Sequence, residues 1–230
     1  MARRRPYTPR MRRTPACLFA AMGLALSVTA GCSSSGEVAS SGTAIADATQ
    51  DSGDVGPRVN EDHWHAAFDV YVCDEFVGPF SDIEADVGGL HSHGDGLVHI
   101  HPFLEEYSGL NATFGRFADQ IGLGIEDGVM TVPEQRPDID GSMAPETTTG
   151  MAFTEWSDGN SCPAGPGRVA LFVWPPDAAD DAEPEVVTSD VAGTRFAADG
   201  QRFVLAFAPA DVVPPQPPST PALEKPSDMG

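Results

Sequence analysis

All six histidines of this chain fall in three His-x-His pairs, His63-Trp64-His65, His91-Ser92-His93 and His99-Ile100-His101. In an extended strand residues i and i+2 point to one face, so each pair presents two imidazoles side by side. The constraint extends to the flanking residues. In His63–Cys73, Trp64, Ala66, Phe68, Val70 and Val72 form an apolar stripe, and His63, His65, Ala67, Asp69 and Tyr71 fall on the opposite face. A second strand is predicted over Leu97–Phe103, with Val98 and Ile100 on its apolar side and His99 and His101 on the other. Gly94-Asp95-Gly96, between two His-x-His pairs, is a turn signal that folds His91 and His93 back toward His99 and His101. The fold these patterns require is a sheet with an apolar face and an imidazole-bearing face.

Imidazole is the commonest protein ligand for transition metals, and an all-imidazole donor set suits copper(II), zinc or nickel, with copper ahead on affinity. His63, His65, His91, His93, His99 and His101 are therefore the candidate ligands of a divalent ion, copper or zinc, with Asp95 or Glu105 as possible additions. The known metal patterns do not fit. A cupin-like site needs a glutamate a few residues after His-x-His, where Leu97 and Val98 stand here, and no His-Glu-x-x-His helix is present. Neither a Gly-x-Ser-x-Gly elbow, a P-loop nor a dinucleotide fingerprint occurs, so binding is favoured over catalysis. Two alternatives stand beside metal binding. One is an interaction module whose histidines, networked with Asp62, Asp69 and Asp95, charge as pH falls toward about 6. The other is a metal-dependent enzyme with Asp62, Asp95 or Glu105 as general base.

The chain opens with an export leader. Six arginines precede an apolar run, Ala16–Ala30, that is too short to span a bilayer and ends at Thr29-Ala30-Gly31-Cys32. A cysteine after Ala-Gly looks like a lipoprotein cleavage site, which makes residues 1–31 the signal peptide and Cys32 the lipid anchor on the outer face of the cell membrane. Plain secretion with cleavage nearby is the alternative. Without the leader, 7 basic residues face 34 acidic ones, a net charge of −27. Such a surface repels nucleic acid and attracts cations, and it serves solubility. The expected partners are a divalent metal ion and, through the anchor, the membrane; the protein partner is unknown and the chain is expected to be a monomer.

Cys73 and Cys162 remain in the mature chain. In an exported protein such a pair forms a disulfide, here closing a loop of roughly 90 residues. The competing role for Cys73 is as a metal ligand near His63 and His65; oxidising surroundings and the presence of Cys162 favour the disulfide. Residues 32–57 are rich in Ser, Gly, Ala, Asp and Thr and are predicted to be a flexible tether, and the proline-rich residues 214–230 a disordered tail. Residues 58–213 form one domain.

Within that domain, Asn111 or Thr113 caps a predicted helix with Phe114, Phe117, Ala118 and Ile121 on one stripe, ended by Gly122 or Gly124. Glu126–Val132 is predicted to be a short strand, 133–150 a loop, Arg168–Trp174 a fully buried central strand, and Arg202–Phe207 the last strand after an Asp199-Gly200 turn. Asp177–Glu185 is expected to be a solvated acidic loop; its spacing matches no EF-hand. The fold class is α+β, a mixed sheet packed by one main helix. The final strand looks like that of a ubiquitin-like β-grasp sheet, and a β-sandwich is the alternative.

Several segments together carry a resemblance: Asp62-His63-Trp64-His65-Ala66-Ala67, Leu90–Phe103 with both later His-x-His pairs, Asn111–Phe117, Asp199-Gly200-Gln201 and Pro217-Pro218-Ser219. Over roughly residues 60–219 the chain resembles a family of exported actinobacterial proteins, many of them lipoproteins. The resemblance implies an envelope location and the importance of the histidines; it implies no reaction.

Overall fold

The computed structural model describes residues 56–134 and 152–226. The expected signal peptide, Cys32, nearly all of the tether and most of the 133–150 loop lie outside the described residues.

The described chain is mixed α+β. Its main sheet contains β1 (Trp64–Val72), β2 (Glu75–Phe76), β3 (Leu90–His91), β4 (Leu97–Ile100), β8 (Ser161–Cys162), β9 (Gly165–Trp174), β10 (Glu185–Val187) and β11 (Arg202–Pro209). The order is β10-β9-β11-β1-β4-β3, with β2 on β1 and β8 on β9. The first and last strands, β1 and β11, pair in parallel, Ala67 with Arg202 through Val72 with Phe207. The other pairs in the sheet are antiparallel. A second sheet holds β5 (Gly124–Glu126), β6 (Val129–Pro133) and β7 (Phe153–Ser157).

One α-helix is present among the described residues, α1 (Phe114–Gln120), with Thr113 at its N-cap position. Seven residues make too short a helix to persist alone, so packing must hold it. Its buried Phe114, Phe117 and Ala118, with Ile121 just beyond, sit on the apolar stripe of β1. Phe68 meets the rings of Phe114 and Phe117 at 5.5 and 5.2 Å, and Phe114 stacks on Phe203 at 6.0 Å. Each such fully buried ring contributes roughly 1.5–3 kcal/mol from water exclusion. Gly122, with φ +73°, ends the helix, in a left-handed conformation that a side chain resists.

The disulfide joins Cys73 to Cys162 across 89 residues. It ties the end of β1 to β8, which assigns Cys73 to this bond and not to a metal.

The opposite face of the sheet is also covered. Ala170, Phe172, Trp174, Val204 and Ala206 form a second small core, packed by Tyr71, Phe76, Ala178 and Ala182. The acidic loop supplies two of those alanines, and Trp174 Nε1 donates to Ala182 O at 2.9 Å, while Asp177, Asp180, Asp181, Glu183 and Glu185 stay exposed.

Two expectations are corrected. Residues 214–226 are not a disordered tail. They run onto the sheet and end in a 3-10 turn, Thr220–Glu224, with Pro214 and Pro217 buried. Arg202 Nη1 donates to Gln216 Oε1 at 2.6 Å, Gln216 Nε2 to Ala179 O at 2.7 Å, and Ser219 Oγ to Gly96 O at 2.7 Å. Prolines fix φ in advance, so laying this segment down orders fewer free dihedrals than composition implies. Strand formation around Glu126–Val132 is also more extensive than expected. A hairpin, β5–β6, occupies this region, and β7 completes its sheet with Trp156 stacked on Phe207 at 5.1 Å.

Candidate metal centre

The histidine face follows from the register of three neighbouring strands. β4 lies between β1 and β3, and Cα pairing sets His65 opposite His99 and His91 opposite His99. Three imidazoles from three strands therefore stand in one row. Two residues farther along, on the same face, His63 meets His101 with ring centroids 5.0 Å apart. The rings make a closed circuit. His63–His65 are 4.9 Å apart, His65–His99 5.0 Å, His99–His91 5.3 Å and His91–His101 4.7 Å. His93 lies against the His91–His99 edge, 4.7 Å from each. All six predicted ligands converge.

Burial is graded across this face. His99 is 0 % exposed, His65 5 % and His91 7 %, so the row is buried. His63 and His93 are exposed and His101 is half-buried. An ion approaching from solvent meets the rim first and the buried row behind it.

The backbone under the row is fixed from several sides. His65 N donates to Asp199 Oδ1 at 2.7 Å, and Gly200 N donates to His65 O at 2.8 Å, so the Asp199-Gly200 turn grips that peptide. The turn between the later pairs is closed by Leu97 N donating to Asp95 Oδ1 at 3.0 Å. Gly96 there has φ +79°, and a Cβ on it would lie 2.6 Å from Ser219 Cβ, so both conformation and space require glycine. Between His91 and His93, Ser92 N donates to Asp82 Oδ1 at 2.8 Å and Ser92 Oγ to Phe80 O at 2.9 Å. Burial pushes the Asp82 carboxyl up to about 6, against the pull of the Ser92 amide and the Gln120 amide.

Two carboxylates touch the rings. Asp95 Oδ2 lies 3.1 Å from His99 Nε2. Asp86 Oδ2 lies 2.9 Å from His91 Nδ1. At that distance His91 Nδ1 still lacks an aligned hydrogen bond. Burial alone would raise Asp86; His91 and the amides of Gly89 and Gly88 together outweigh it and hold the carboxyl at about 2. His101 is held below the ordinary imidazole value by burial first, then by repulsion from His91 and His63. A low imidazole pKa keeps the ring nitrogen unprotonated and available as a ligand.

His91 Nε2 and His93 Nε2 stand 3.1 Å apart. Without a metal, one must donate a proton to the other; with both unprotonated, two lone pairs share the same small volume. Among the described residues, three groups of ligand atoms, each with all members within 4.8 Å of one another, could hold an ion: His63, His65 and His99; His91, His93 and His99; and Asp86, His91 and His101. His99, the most buried, belongs to two of them.

Asp86 escaped the sequence reading. Its signal was Asp86-Val87-Gly88-Gly89 directly before Leu90-His91, an Asx turn that aims the carboxylate at the next strand. Glu105 is exposed in a 3-10 turn and belongs to none of the three groups. Asp62 is tied to Arg58 at 2.8 Å, a pairing that lowers its carboxyl pKa, and Asp69 accepts from the amides of Val70 and Gly78 and belongs to none of the three groups. The chain matches no protein-family model, no curated protein and no solved structure.

Proposed function

We propose that this chain is an exported, lipid-anchored protein of the actinobacterial family it resembles, and that its task is to hold a transition metal ion, copper or zinc, at the outer face of the cell membrane. The observation that carries the reading is the convergence of all six histidines, on and beside three neighbouring strands, into ligand trios that overlap at buried His99 and His91. Scattered histidines satisfied in a core would not form a closed circuit that runs from buried His99 to exposed His63. Neutral imidazole donors favour copper(II) and zinc over the harder calcium and magnesium. The net charge of −27 outside the leader draws cations toward that rim. The leader and Cys32 support export and anchoring. Asp62, one of the bases an enzyme reading needs, is held by Arg58, which favours binding over turnover. The parallel β1–β11 pairing at the centre of the sheet, with antiparallel β4 and β9 outside it and α1 across one face, supports the β-grasp-like reading over the sandwich.

The test is metal content of the full chain purified without a histidine tag, followed by titration with copper(II) and zinc against a competing chelator. At least one equivalent is expected, weakened by His63→Ala/His65→Ala and by His91→Ala/His93→Ala. A folded, disulfide-bonded protein that binds neither ion overturns the reading and leaves the pH-responsive interaction module.

A further inference from the structure

Resting on that metal-binding reading, we infer that the histidine face holds two ions, one in His63–His65–His99 and a second in Asp86–His91–His101. These two trios share no residue, so both can be filled at once. The central trio, His91–His93–His99, takes one member from each, so a single ion there would preclude both flanking sites. The structure thus offers two alternatives, one central ion or two flanking ions.

Three observations favour the pair. The flanking trios together use His63, His65, His91, His99 and His101, which are the five rings of the closed circuit, each 4.7–5.3 Å from the next. A central ion would leave His63, His65 and His101 without a role. Asp86 is a carboxyl ligand held in place, with Oδ1 taken by the Gly88 and Gly89 amides and Oδ2 turned to the ring of His91, so the second site is already oriented. His91 Nδ1, buried and lacking an aligned hydrogen bond, faces that same carboxylate, and an ion between them would satisfy both.

The two donor sets differ in kind. Three imidazoles suit copper or zinc, whereas two imidazoles with one carboxylate are also the donor set of iron(II) and other less thiophilic divalent ions. The second site therefore has the harder ligands and discriminates less strongly for copper.

Zinc titration of the full chain, followed by calorimetry and checked with a competing chelator, distinguishes the alternatives. The wild-type chain is expected to take two equivalents. His63→Ala and His101→Ala, both at the rim where the fold does not depend on them, are each expected to retain one, and His93→Ala to retain two. The disulfide and circular dichroism serve as checks that each variant is folded. One equivalent in the wild type, abolished by His93→Ala and indifferent to His101→Ala, would overturn the two-ion arrangement while leaving metal binding intact. No bound zinc in any folded form would overturn both.

Discussion

His65 and His99 face each other across the β1–β4 ladder, their rings edge to face at 5.0 Å, and both are almost wholly removed from solvent. His99 Nε2 also meets Asp95 Oδ2 at 3.1 Å, and the two rings belong to one ligand trio with His63.

His99→Ala is predicted to act on both stability and binding. It leaves a cavity at a fully buried position and strips Asp95 Oδ2 of its imidazole partner, costing about 1–3 kcal/mol in the metal-free protein. Affinity of the His63–His65–His99 site should also fall by about 100-fold or more, while the Asp86–His91–His101 site is spared. Denaturant midpoints with chelator present, and chelator competition for zinc, measure the two effects separately. Unchanged affinity in a folded His99→Ala protein would show that His99 is a packing residue.

Metal removal should lower the melting temperature, and the size of the shift should depend on zinc concentration. With free ion at about 100 times the dissociation constant, binding to the native state alone stabilises by about 2.7 kcal/mol. The stabilisation should fade as pH drops below about 6, where imidazoles take up protons and cease to be ligands. Thermal melts with and without chelator, at pH 7.5 and pH 5, provide the comparison.

Asp82 sets a pH dependence of opposite sign to that of a salt-bridged aspartate. Its carboxyl is raised to about 6 by burial, with Asp86 nearby adding repulsion and the Ser92 amide, the Gln120 amide and His91 opposing the rise. The native state therefore binds a proton more tightly than the unfolded chain, whose aspartates titrate near 4. The stability from this group is fully present below about pH 4 and is lost as pH rises through about 6. In the chelated protein, Asp82→Asn should flatten the part of the stability–pH profile between those values. An unaltered slope would place the titration elsewhere.

Reducing the Cys73–Cys162 bond, or replacing both cysteines with alanine, should destabilise by about 4 kcal/mol, as expected for closing a loop of this length. Melting with and without reductant, at fixed metal occupancy, gives the value.

Truncation after Val213 should be damaging although the removed residues contain many prolines. Arg202 would lose Gln216, Gly96 O would lose the Ser219 hydroxyl, and two buried prolines would go. A loss of about 2 kcal/mol or more is expected from these contacts together. A truncated chain as stable as the whole would make the segment dispensable.

The histidine face was legible because its determinants are local and periodic. His63/His65 and His99/His101 oppose apolar stripes at period two, and Gly94-Asp95-Gly96 announces the turn between the later pairs. The helix was legible for the same reason, from Phe114, Phe117, Ala118 and Ile121. What the pattern could not reveal was lateral order. Nothing in the sequence sets β1 beside β4 and so brings His65 against His99, because that neighbour relation is a pairing between separate segments and leaves no periodic signal in either. Asp86 was missed because its role depends on a turn and not on a period. The segment after Val213 was misread because proline content signals both disorder and preset extended chain, and only the presence of Arg202 and Gly96 O as partners separates the two.

The parallel pairing of β1 with β11 has a consequence for assembly. The histidine strands lie within residues 63–101, yet one edge of β1 is completed only by residues 202–207. Contacts of such high sequence separation form late and slowly, because the long intervening chain must be closed first. The six histidines can therefore be synthesised well before the sheet that rigidifies them is closed. On the metal-binding reading proposed above, an ion bound at that stage would draw three strands together in advance and template the fold.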